Sequence, residues 1–202
     1  MIQRPISMRS LVLAALLSAA PFLVSAADSP ANPATMAFAP GGSVRLKLDK
    51  GAVEVVGTTD DRIAVSWESS SSADKARVNV ILRQTGDKAA TVAVEGPGNR
   101  VKYRVELPQK TDVVLSMNAG ELRIRGLQGN LDVELLAGDL SVRVKEAGDY
   151  RLVRGSVTAG DISAKPWRVS TGGLWRSFEK EGEGKLSLKA HVLAGQLTIQ
   201  QD

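Results

Sequence analysis

Residues 119–142 read AGELRIRGLQGNLDVELLAGDLSV, and the stretch says nearly the same thing three times. Gly120, Gly129 and Gly138 stand nine residues apart, and each is followed two positions later by a leucine: Leu122, Leu131 and Leu140. Five residues of strand span about 17 Å. The other four residues of the beat turn the chain, and glycine at the turn takes positive φ without a Cβ clash. One such strand cannot bury its apolar face alone. It has to lie against the next, so a run of these units builds a continuous apolar interior.

Working outward, apolar alternation with period two fills most of the chain. Towards the N-terminus it appears in SVRLKL (residues 43–48), AVEVVG, RIAVSW, ARVNVILR, ATVAVEG and VKYRVELP. Towards the C-terminus it returns as the pairs Tyr150/Leu152, Leu186/Leu188 and Leu197/Ile199. Short alternating runs punctuated by Gly, Asp and Pro predict half-buried strands. The polar segment ESSSSADK (residues 68–75) reads as a loop. The stretch from Val153 to Gly184 loses the beat and holds the later aromatic residues, which predicts a protruding loop or an irregular coil. The fold expected is all-β: a β-solenoid or β-helix-like stack of short strands, with a tightly wound sandwich as the alternative.

The first 26 residues are expected to be a signal peptide. Arg4 and Arg9 precede an apolar run from Leu11 to Val24, and small residues end at Ala26. A basic start, a short apolar middle and a small-residue end make a secretory leader. Pro21 and the run's length disfavour a spanning helix, which needs about 20 apolar residues. No transmembrane segment is expected after cleavage. Residues 27–42, rich in Ala and Pro, are expected to be a mostly unstructured extended lead-in, and residues 43–202 a single all-β domain.

The chain has no cysteine, which excludes disulfides, thiolate metal sites and a lipid-bearing cysteine. Setting Arg4 and Arg9 aside from the 26 basic residues leaves 24 against 22 acidic. The signs are intermixed, so nothing here calls for nucleic acid.

VKYRVELPQKTDVVLSMNAGELRIRGLQGNLDVELLAGDLSV (residues 101–142) resembles the putative-adhesin family of secreted bacterial β-solenoid domains. The likeness rests on Leu107-Pro108 ending a strand, the Gly-polar-aliphatic repeats from Gly120 to Ile124, and the late block GEGKLSLKAHVLAGQLTI (residues 182–199). It covers roughly residues 41 to 200 and implies an exported, solenoid-like protein without an established enzymatic activity. It carries no functional residues across.

Few residues offer chemistry. His191 is the sole histidine, so any triad or imidazole metal site would have to use it; within LSLKAHVLAG it reads as a solvent-facing strand residue. Asp139, Asp149 and Asp161 each follow a glycine. Stacked turns could align them for Ca²⁺ or for acid–base work on a sugar, but aspartate after glycine is ordinary turn chemistry. No catalytic, cofactor or metal residue is assigned. AKPWRVSTGGLWRSFEK (residues 164–180) places Trp167, Arg168, Trp175, Arg176 and Phe178 together, either as a binding patch or as the cap that a solenoid end needs.

The expectation is therefore an exported, non-enzymatic envelope protein, periplasmic or at the cell surface, that binds a surface glycan or an envelope protein. Its alternatives are a polysaccharide-active β-helical enzyme and a periplasmic scaffold.

Overall fold

A computed structural model of the protein describes residues 31–98 and 100–202. The expected leader and the start of the lead-in lie outside these residues. Among the described residues the chain is nearly all β, as expected. Its strands are β1 (Ala34–Ala37), β2 (Ser43–Thr58), β3 (Arg62–Glu68), β4 (Asn79–Gly86), β5 (Ala89–Glu95), β6 (Lys102–Pro108), β7 (Asp112–Arg125), β8 (Leu131–Val144), β9 (Tyr150–Ala164), β10 (Val169–Glu181) and β11 (Leu186–Gln201). The polar loop holds one helical turn, Ser72–Lys75, whose Asp74 N–H donates to Ser71 Oγ at 3.2 Å. No described helix is long and apolar enough to cross a membrane.

Most units expected as two short strands with a turn between are one long strand with a bend inside. β2, β7, β8, β11 and β9 lie parallel in that order, and β10 closes the row antiparallel to β9. Register aligns Gly51, Gly120, Gly138, Gly195, Gly160 and Gly173 across these six strands. Every one of the six has φ between 116° and 139°. A side chain at Gly138 would also strike the carbonyl oxygen of Gly120, and one at Gly195 that of Gly138. Glycine is needed here twice over, for conformation and for room.

The bend explains the pattern of the core. The residues facing inward run Leu115, Met117, then Leu122, Ile124; the step across the bend is from 117 to 122 instead of two. The same step separates Leu48 from Val53, Leu135 from Leu140, Val192 from Leu197 and Val157 from Ile162, all buried. An odd step flips the face of a flat strand. The glycine kink flips it back, so both arms of every strand point into one aliphatic core. Of the original beat, Gly120 and Gly138 make this bend. Gly129 instead lies where the chain crosses between strands, against the backbone of Thr111.

Three expectations need correction. The Val153–Gly184 stretch is not a loop: β9 and β10 pair from Leu152–Glu181 to Ala164–Val169. β10 runs against its neighbour, so its glycines fall out of the beat read along the chain. The described part of the lead-in, residues 31–42, is tied to the sheet and not left unstructured: Ala34–Ala37 pair with β3, and Asn32 exchanges two hydrogen bonds with the Trp67 backbone at 2.8 and 3.3 Å. Nor does each unit stack on the next in sequence, since β11 lies between β8 and β9.

The two ends of the row are built differently. At one end β10 is a single strand that crosses the bend. At the other, the first arm of β2 pairs with β5, then β4, and the second arm pairs with β6, then β3 and β1.

Candidate functional site

The structure divides the aromatic segment. Trp167 is half-buried, packs on the core and meets Tyr150 edge-on, with centroids 6.2 Å apart. Tyr150 stays protonated across the ordinary range, because burial and then Asp149 push its hydroxyl up to about 12. Phe178 lies against Gly155, where a Cβ would collide with its ring. These two pack onto the core. Trp175 does not: it is 79% exposed, beside Leu174 at 66%. Its φ of 54° is a left-handed conformation that costs a non-glycine residue about 1–2 kcal/mol. Arg168 is exposed at the end of a 3-10 turn (Lys165–Trp167), and exposed Arg176 donates its Nε to the Gly172 carbonyl at 2.9 Å.

Trp175 has partners that the sequence reading passed over. The pairs Leu135–Val192 and Ala137–Ala194 bracket Leu136 and Leu193 in one outward row just before the bend. Val157–Val192 and Ala159–Ala194 add Thr158 to it, and Leu174–Ala159 with Arg176–Val157 add Trp175. Leu136 is 41% and Leu193 45% exposed. Leu136 and Leu193 on neighbouring strands, with Trp175 and Leu174 beyond the intervening Thr158, thus form an apolar ridge along the outside of the bend that one threonine interrupts. Contiguous exposed apolar groups mark interaction sites, whereas scattered ones do not. A signal was present in the sequence: Leu135-Leu136 and Val192-Leu193 are doublets that break the alternation, so one member of each must face out.

The next row on the same outer face is polar. Glu134, His191 and Ser156 are neighbours on β8, β11 and β9, and Ser177 follows on β10. His191 is half-buried, and its Nδ1 lies 2.8 Å from Ser156 Oγ. In the following row Arg154 Nε donates to Glu179 at 2.7 Å. The surface therefore sets an apolar ridge beside hydroxyl, imidazole and paired charges.

Of the three turn aspartates, Asp139 and Asp161 share the bend, each opposite Gln196, and both are exposed. Asp149 sits apart from them in a 3-10 turn. Among the described residues no three His, Asp or Glu side chains converge as metal ligands.

A second polar cluster covers the outer face at the far end. Glu54 accepts from Arg104 Nη1 at 2.6 Å and Arg125 Nε at 2.7 Å, and Arg104 Nε donates to Glu106 at 2.9 Å. The hydrogen bond from Arg125 outweighs the opposing effect of burial and, with the charges of Arg125 and Arg104, holds the Glu54 carboxyl below its ordinary range. The cluster borders a shallow depression of about 380 Å³ over Trp67 and Tyr103. Its charges are mutually satisfied and tie β6, β2 and β7 together.

No family model matches the chain, and no curated protein matches it. Among solved structures it is similar to a putative cell adhesion protein from Clostridium sporogenes ATCC 15579, with 16% identity and a TM-score of 0.52 over 85% of this chain and 99% of that one. It is also matched, at 10% identity and a TM-score of 0.28, to a putative adhesin from Parabacteroides merdae ATCC 43184, over 85% of this chain and 95% of that one. The first likeness is one of fold.

Proposed function

We propose that the protein is an exported, non-enzymatic, adhesin-like module that binds a polymer or a partner protein at the cell envelope. On this reading its strands wind as a solenoid-like stack, and the bend is its working edge. The observation that carries the proposal is the apolar ridge of Leu136, Leu193 and Trp175. It lies on rigid strands, it is exposed, and the polar row beside it offers hydrogen bonds. The basic and then apolar start of the sequence, read as a leader, and the fold shared with a protein described as a putative cell adhesion protein agree with it. An enzymatic reading on polysaccharide would have to rest on Asp139 and Asp161, both exposed at the bend.

The test has two arms. A C-terminal epitope tag and protease treatment of intact cells report location; loss of the tag places the protein at the surface, and protection places it inside the envelope. Binding to isolated envelope material is then compared for the wild type and for Leu136→Ser/Leu193→Ser/Trp175→Ala. Loss of binding by roughly tenfold or more, with the fold intact by circular dichroism, is expected for an apolar hot spot. Unchanged binding by the triple variant overturns the ridge as the contact surface.

A further inference from the structure

Hydrogen-bonding rows border the apolar ridge on both sides. On one side lie Glu134, His191, Ser156 and Ser177. On the other, the first outward residues past the glycines are Asp139, Gln196 and Asp161, neighbours in that order on β8, β11 and β9 and all exposed. On those three strands only Ala137, Ala194 and Ala159 stand between the ridge position and the glycine, so nothing larger than a methyl group fills the corner. Four strands about 4.8 Å apart make the stripe roughly 14 Å long. The charge beside it is one-sided. Glu134, Asp139 and Asp161 have no ion-pair partner among the described residues, and neither bordering row holds a lysine or an arginine.

We infer that the ligand of the ridge is a glycan without negative charge, laid across β8, β11, β9 and β10 with one sugar ring on the Trp175 indole. A pyranose ring carries C–H groups on its faces and hydroxyls around its rim. The faces suit an apolar stripe that ends in an exposed indole, because the π face is electron-rich and attracts polarised C–H groups. The rim suits the two bordering rows. Carboxylates accept strong, charge-assisted hydrogen bonds from hydroxyls, and Gln196 and the serines both donate and accept. The interrupting residue, Thr158, is itself a hydroxyl. Charge selects among glycans: a uronate or phosphate-bearing polymer, like an anionic lipid surface, would set negative charge against three unpaired carboxylates.

Two further features agree with this. The groups stand on paired strands, so little ordering entropy is lost when a ligand settles on them. Trp175 is kept in a left-handed backbone conformation at an exposed position, and strain of that kind is retained where a binding group has to be aimed. The inference rests on the ridge as the contact surface and adds the class of its ligand.

The host envelope is separated into protein-free polysaccharide and solubilised protein, each is immobilised, and both are titrated with protein purified from cells expressing the full chain. Saturable binding to the polysaccharide is expected. Trp175→Leu keeps an apolar group but no flat ring, and should weaken that binding roughly tenfold. Trp175→Phe restores a flat ring and should recover most of the loss, which a merely apolar contact would not require. Polygalacturonate, an anionic glycan, should not compete. No binding to the polysaccharide, equal binding by Trp175→Leu, or competition by polygalacturonate overturns the assignment. Binding that follows the protein fraction and is lost in Leu136→Ser/Leu193→Ser/Trp175→Ala removes the glycan and leaves the ridge standing. Binding of either fraction that this triple variant leaves unchanged removes the ridge as well.

Discussion

At the two ends of one bend, the same row carries opposite chemistry. On β2 and β7 the positions just before the glycine are Asp49 and Asn118, and Asn118 Nδ2 donates to Asp49 at 3.1 Å. On β8 and β11 they are Leu136 and Leu193 and on β9 Thr158, while antiparallel β10 brings Trp175, two residues after Gly173, into the same row; the two leucines and Trp175 are exposed and without such a partner. The row behind them hardly changes: Leu48, Met117, Leu135 and Val192 are all buried. Inward positions must fill one core and cannot vary freely. Outward positions answer only to what lies outside. A change of chemistry along an outer row, over an unchanged inner row, is therefore evidence of a surface specialised at one end.

The most severe way to break the comparison is to remove the bend that both ends share. Gly138→Val should cost about 3 kcal/mol or more, from left-handed strain and overlap with the Gly120 carbonyl. Gly148→Ala, where a Cβ meets open space, should stay within about 0.5 kcal/mol by chemical denaturation. If Gly138→Val melts with the wild type, the aligned glycines are not what sets the fold. Next in size is the core itself: Leu140→Ala, at a fully buried site, should lose about 3 kcal/mol.

The aromatic segment sharpens the contrast. Phe178→Ala should destabilise by about 1–2 kcal/mol, because the half-buried ring fills the space over Gly155. Trp175→Ala should be neutral or slightly stabilising, since it removes little burial from an exposed residue. Equal losses at the two positions would mean that Trp175 supports the fold as Phe178 does. The smallest effect is at the polar end. The folded Glu54 carboxyl titrates below its ordinary 4.5, so its ion pairs stabilise fully above that pH. Their contribution fades as pH falls through the lower, folded value. Glu54→Gln should therefore lose less stability than the wild type on acidification through this window, by under about 1 kcal/mol for so exposed a network.

Strand content was legible because alternation is a local signal. Val113, Leu115 and Met117 announce their face without help from the rest of the chain. The bend was half legible: the glycine spacing is visible at Gly120 and Gly138, but continuity of the strand through it depends on neighbours bent at the same place. Strand order was not legible. β8, β9 and β11 carry nearly interchangeable patterns, so nothing local says that Leu188 lies between Leu131 and Val153. The aromatic segment was misread for a related reason, because antiparallel β10 reverses the pattern that parallel strands repeat. Trp175 could be named in advance as a surface candidate. Leu136 and Leu193 join it only when register sets their strands side by side.

The placement of β11 also governs timing. β8 and β9 are made well before residues 186–201, yet their facing edges can close only on that later strand. As the chain emerges, half of the row must wait with two edges open while the non-local pairing that ends the wait is still unsynthesised. Assembly is therefore held back until late in synthesis. During that interval the chain is exposed to mispairing and equally free to be threaded or escorted before it locks.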